Sequence, residues 1–163
     1  MWVSSIASAS LVFPVPKGLA ELVTISPMIV LARASKKPAQ VRTYPIDRVP
    51  AGTPPYVRTS AAFDVLRVLR GPSSLGGSTI YVDPAGWQLF RGMNAASIRG
   101  EPVPSPYLAE YVRAPKEPLP GDADVILFLR PSLDDGYEET MLEGREAKTA
   151  LPRVIDAVKA ASK

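Results

Sequence analysis

The chain contains no cysteine and no histidine. Zinc sites of the Cys/His type, cysteine nucleophiles, disulfides and Ser-His-Asp triads are therefore excluded within its 163 residues. Neutral side-chain amides are almost as scarce, with Asn94, Gln40 and Gln88 making up the whole set. Little is left for amide readout of a ligand or for side-chain oxyanion donation. No stretch approaches the roughly 20 apolar residues that a membrane-spanning helix needs, so no membrane span is expected. No metal site and no cofactor are expected either, and the missing imidazole and thiol argue against an enzyme.

What the chain does contain is ordinary for a globular protein: 46% hydrophobic and 21% charged residues, of a length that suits one domain. Its 18 prolines fall mostly between the apolar runs and favour long irregular connections over helical packing. The net charge of +3 is unevenly placed. Residues 1–100 carry 11 Lys/Arg against four Asp/Glu, and residues 101–163 carry eight against 12. The simplest account places the cations on solvated strand faces; an anionic partner for the basic half is the alternative.

Ala61–Gly71, AAFDVLRVLRG, is the central apolar run and reads as a strand that ends at Gly71-Pro72. Its parity slips near Val65-Leu66, as a β-bulge would make it slip, and a long bent strand suits the corner of a small barrel. Arg67 and Arg70 are expected on its solvent face. Residues 1–16 form a separate arm. Ala7-Ser8-Ala9 has the small-residue spacing that precedes a signal-peptidase cut, but no basic segment and no adequate apolar run lie before it. Two readings stand: an extended arm, or the remnant of a targeting segment that begins upstream.

Residues 17–163 are expected to form one domain. Leu19, Leu22 and Val23 mark a short helix within Lys17–Ser26, and Met28–Ser35 is apolar on both parities, as in a buried strand. Lys36–Pro55 reads mainly as a connection, with a short strand around Gln40–Tyr44. Gly71–Ser78 is a turn, Thr79–Val82 a strand, and Asp83-Pro84-Ala85-Gly86 another turn. Trp87–Pro120 shows no clean period, and a short strand is expected near Leu108–Arg113. Ala123–Arg130 is a strand buried on both faces. Asp135-Gly136 is a hairpin turn into Tyr137–Leu142. Thr149 is the expected N-cap of a last helix, with Pro152 in its first turn and Leu151, Val154, Ile155 and Val158 on its buried face. The fold class is α+β and predominantly β: a small closed or partly closed OB-like antiparallel barrel, with a short N-terminal helix and a C-terminal helix.

LAELVTISPMIVLARA (19–34), AAFDVLRVLRG (61–71), LPGDADVILFLRP (119–131) and DDGYEETMLEG (134–144) resemble the helix, strands and hairpin of a group of uncharacterised bacterial OB-fold proteins. That group is related to the netrin-like domain of tissue inhibitors of metalloproteinases. The resemblance implies an extracytoplasmic location and a scaffold for binding. It carries no inhibitory residue over, because the animal inhibitors bind zinc through an N-terminal cysteine that is absent here.

Several constellations invite a chemical reading. Gly71–Ser78 has Gly77 where a phosphate-binding loop has lysine, and a strand follows it, so a plain turn is the better account. Asp134, Asp135, Glu138 and Glu139 lack the calcium-loop spacing and are expected to be solvated turn charge. No spacing singles out a carboxylate pair such as Asp83 and Glu110 for glycoside chemistry, and Ser35-Lys36 has no support as a dyad. The aromatic residues carry more. Tyr44, Tyr56, Tyr81, Trp87 and Phe90 interleave with Arg42, Arg48, Arg58 and Arg91, as on a surface where rings stack and cations track an anion. Tyr81, Trp87, Phe90, Arg91 and Arg58 are the candidate binding residues; the alternative makes Trp87 and Phe90 core that caps a barrel end. The function expected is a non-catalytic interaction module with a protein or polymer partner. Single-stranded nucleic acid is the second choice.

Overall fold

The computed structural model describes residues 18–103, 119–132 and 135–163. In chain order its elements are α1 (Leu19–Ile25), β1 (Met28–Ala34), β2 (Gln40–Tyr44), β3 (Tyr56–Arg70), β4 (Thr79–Asp83), α2 (Trp87–Ile98), β5 (Val125–Pro131), β6 (Tyr137–Glu139), β7 (Glu146–Ala147) and α3 (Leu151–Ala161), with single 3₁₀ turns before β4 and α3.

Five strands close a barrel in the order β1-β3-β4-β6-β5, and β5 returns to β1 over Met28↔Leu129 to Ala32↔Val125. This is the expected OB-like barrel with a helix at each end. All its pairings are antiparallel except β4 with β6, which is parallel. The barrel is therefore mixed, because α2 and β5 intervene before the chain returns as β6 beside β4.

Alternation along the strands supplies two apolar layers. Val30, Phe63, Val65, Ile80, Val82, Leu127 and Leu129 fill the barrel, while Ile29, Leu31, Ile126 and Phe128 face outward against α1 and α3. Burial on both faces explains why β1 and β5 read as unbroken apolar runs, and each such side chain contributes roughly 1.5–3 kcal/mol. On α3, Val154 is fully buried, with Leu151 and Val158 packed beside it.

The slip at Val65-Leu66 is a bulge. Leu31 faces Arg67 and Ala32 faces Val65, which leaves Leu66 as the extra residue, and a second shift follows one turn of the ladder later at Leu69. The strand also starts earlier than Ala61. Residues 56–60 run past the barrel and pair with β2, Gln40↔Ser60 to Tyr44↔Tyr56, to form a two-stranded arm.

Other expectations are corrected. Trp87–Ile98 is a helix, although the sequence shows no clean period there: Trp87 is its one buried residue, so it has no continuous apolar stripe. Asp83 is not a turn residue but the buried end of β4. Thr149 caps nothing; it lies in a 3₁₀ turn, and Ala150 precedes α3 with no side-chain cap. The return strand stops at Glu139 rather than Leu142. Arg70 is not a solvent-face residue, since its Nη1 donates to the carbonyls of Val23 and Ser26 and ties β3 to the end of α1. The strand expected near Leu108–Arg113 falls outside the described residues. Among the described residues no helix is long and apolar enough to cross a membrane, and no cluster of three or more His, Cys, Asp or Glu side chains could hold a metal ion.

Candidate functional site

The inner face of the β2–β3 arm meets the start of α2 in a polar and aromatic cluster. Alternation puts Tyr56, Arg58 and Ser60 of β3 on that face, and pairing brings Tyr44 of β2 opposite Tyr56. From the barrel side, Asp83 ends β4 and Trp87 opens α2. Arg58 is 1% exposed and Asp83 is 0% exposed. The expectation that arginines lie on solvated faces fails at Arg58.

The two form a forked ion pair. Arg58 Nε donates to Asp83 Oδ1 at 2.9 Å, and Nη2 lies 2.6 Å from Oδ2. Arg58 Nη1 donates to the Tyr44 hydroxyl at 3.2 Å. Ser60 Oγ donates to Asp83 Oδ1 at 2.6 Å, and Ser132 Oγ donates to Oδ2 at 2.8 Å. Both carboxylate oxygens thus accept two bonds. Burial works against the Arg58 charge, but the hydrogen bonds to Asp83 and Tyr44, with the Asp83 charge, outweigh it and raise the guanidinium pKa further. The Arg58 guanidinium therefore keeps its charge although it is buried.

Rings close over the ion pair. Tyr44 and Tyr56 meet Trp87 edge-to-face, with centroids 6.0 and 5.7 Å away. The Arg58 guanidinium lies 5.1 Å from the Trp87 ring. Arg91, one turn further along α2, lies 4.9 Å from Tyr44 and 6.0 Å from Trp87. Such contacts add about 0.5–2 kcal/mol each as water is excluded.

A second buried carboxylate anchors the same helix. Glu138 on β6 accepts from the Gly86 N–H at 2.8 Å, from Gln88 Nε2 at 3.2 Å and from Arg130 Nη2 at 2.7 Å. Gly86 holds φ of 81°, open to glycine at little cost, and the carboxylate complements the positive end of α2. Glu138 is 0% exposed and Glu139 is bonded to Arg145, so the expectation of solvated charge at these two residues is corrected. Asp135 takes φ of 58° in the hairpin turn, while residues 133–134 lie outside the described residues.

Of the five candidate residues, Arg58, Trp87 and Arg91 come together, and Trp87, 7% exposed, is buried against Tyr44 and Tyr56 of the arm rather than a free platform. Phe90 is 44% exposed on α2, and Tyr81 is half-buried on β4 opposite Ala62. Among the described residues neither makes a ring contact with the cluster. Asp83, Ser60 and Ser132 were missed because their partners are remote in sequence. The one legible signal, an acid ending an alternating strand, looks the same in a turn. No family model, curated protein or solved structure matches the chain.

Proposed function

We propose that the chain is a non-catalytic binding module of OB type, which presents the β2–β3 arm to a protein or polymer partner. One observation carries this reading. The buried ionic groups brace an arm whose other face is open: Val41 is 62% and Val57 is 56% exposed, and Thr43 and Thr59 are exposed beside them. Apolar β-branched side chains on an open two-stranded face suit contact with another surface. Asp83 accepts four hydrogen bonds and Glu138 three, all from the protein's own donors, which supports a bracing role. The netrin-like resemblance, with the extracytoplasmic location it implies, accords with this reading, but a scaffold does not itself give a function.

A photo-cross-linking side chain at Val57, with the same group at exposed Lys159 as control, tests the arm in cells of the source organism. A discrete product specific to position 57 is expected, and equal products from both positions would overturn the reading. The second reading, single-stranded nucleic acid, is checked by titrating Trp87 fluorescence, in a Trp2→Phe variant, with an oligonucleotide at low salt. No saturable change is expected, because Trp87 is buried against Tyr44 and Tyr56; a saturable quench that salt reverses would favour nucleic acid.

A further inference from the structure

We infer that the β2–β3 arm and α2 form one lobe that opens from the barrel as a unit, with Asp83 and Glu138 as its latches; this goes beyond the binding-module reading and stands without it. The lobe has its own cohesion. At the start of α2, Trp87 meets Tyr44 and Tyr56 of the arm, and Arg91 lies over Tyr44. Just past the end of α2, Arg99 Nη1 donates to the Asp47 carbonyl at 3.4 Å, in the loop that follows β2. Glu101 accepts a fork from Arg99 and lies 3.8 Å from Arg48 of the same loop. Helix and arm are joined at both ends, so a movement of one carries the other.

What holds the lobe to the barrel differs in kind from what holds the barrel together. Among the described residues, none between 40 and 60 or between 87 and 98 belongs to either apolar cluster. Trp87, the one buried residue of α2, rests on the arm's own rings. Polar ties cross the boundary: Arg58 and Ser60 of the arm donate to Asp83 at the end of β4, and Gly86 and Gln88 at the start of α2 donate to Glu138 on β6. A buried ion pair returns much of what it gains once its charges regain water, whereas an apolar cluster recovers nothing on exposure. The lobe therefore sits at the low end of the stability range within one fold. The boundary also has hinges. Pairing of β3 passes from β2 to β4 between Ser60 and Ala61, and Gly86, at φ of 81°, joins β4 to α2. Opening there bares the Tyr44, Tyr56 and Trp87 rings together with both members of the ion pair, while the five barrel strands stay closed.

The test is amide hydrogen exchange by NMR on the full chain, over a series of urea concentrations below the unfolding transition. The protected amides of β2, of residues 56–60 and of α2 should share one opening equilibrium with a shallow urea dependence, its open state at least about tenfold more populated than that of β1 and β5. Two variants separate a lobe from the whole fold. Ile29→Val, in the apolar layer against α1 and α3, should raise exchange in β1 and β5 about fivefold and leave the lobe unchanged, because opening the lobe keeps that layer intact. Gln88→Ala removes a donor to Glu138 and should raise exchange about fivefold in the arm as well as in α2. Acceleration of the lobe by Ile29→Val would mean that it opens only when the barrel unfolds. Acceleration of α2 without the arm by Gln88→Ala would mean two separate parts, and either result overturns the inference. None of these outcomes bears on the Val57 cross-link, so this inference and the binding-module reading fail independently.

Discussion

Replacing Arg58 by methionine should destabilise the protein by about 3–5 kcal/mol. The side chain it removes is 1% exposed, and the carboxylate it leaves behind is 0% exposed. Asp83 would keep the Ser60 and Ser132 hydroxyls but no countercharge, and a buried ion stripped of its partner costs about that much. Domains of this size are stable by only about 5–15 kcal/mol, so the loss would be a large fraction of the total. With an m-value of about 2 kcal/mol per molar urea, the unfolding midpoint should fall by about 2 M. The double variant Arg58→Met, Asp83→Leu should recover much of this, because it buries no charge. It should still fall short of the parent by about 1–3 kcal/mol, since buried Ser60 loses its acceptor. Arg58→Lys should lie between, keeping the charge but not the fork that reaches Asp83 and Tyr44 together. Urea titration followed by tryptophan fluorescence and circular dichroism measures all three, together with the single variant Asp83→Leu that completes the cycle. A single variant that costs under about 1 kcal/mol, or a double variant whose loss equals the sum of the singles, would refute a coupled buried pair.

Two further outcomes follow from local geometry. The Asp124 carboxyl, hydrogen-bonded by Arg33 and Lys148, has its pKa lowered below the ordinary 3.8, so its stabilising effect is full above that pH and is lost as pH falls through the folded value. Asp124→Asn should therefore lower the urea midpoint at neutral pH, and the gap from the parent should shrink in acid; a gap independent of pH would contradict the assignment. Gly71 holds φ of 111°, and a Cβ there would lie 3.0 Å from Met28 Cγ, so Gly71→Ala should cost about 1–3 kcal/mol in a thermal or urea melt.

Much of the barrel was legible because its signals are local. The bulge at Leu66 shows as a parity slip inside one strand, and β1 and β5 announce two-sided burial by being apolar throughout. The Asp135-Gly136 turn is a two-residue signal. The cluster was legible only in part. Interleaved rings and cations pointed to Arg58, Trp87 and Arg91, and to Tyr44 and Tyr56 in the wider set. Nothing in the chain pairs Arg58 with Asp83, 25 residues on, or places Ser132 on the same carboxylate. Helix α2 escaped for a related reason. Its N-terminal N–H is met by Glu138, 52 residues from Gly86, and not by a neighbouring Ser, Thr or Asp, and a single buried ring leaves no stripe to count.

The return of β5 to β1 also bears on how the chain folds. Met28 and Leu129 are about a hundred residues apart, yet they are ladder partners, and the outer layer needs α1 from one end and α3 from the other. During synthesis β1, β3 and β4 can form a meander, but the barrel has no closing stave until β5 has emerged. Such distant pairing puts the entropy of loop closure ahead of its reward, which places folding in the slow, millisecond-to-second class of β-rich domains. The half-built meander would expose the apolar edge of β1 throughout that wait, so premature release from the ribosome before β5 should yield an aggregating fragment rather than a smaller stable domain.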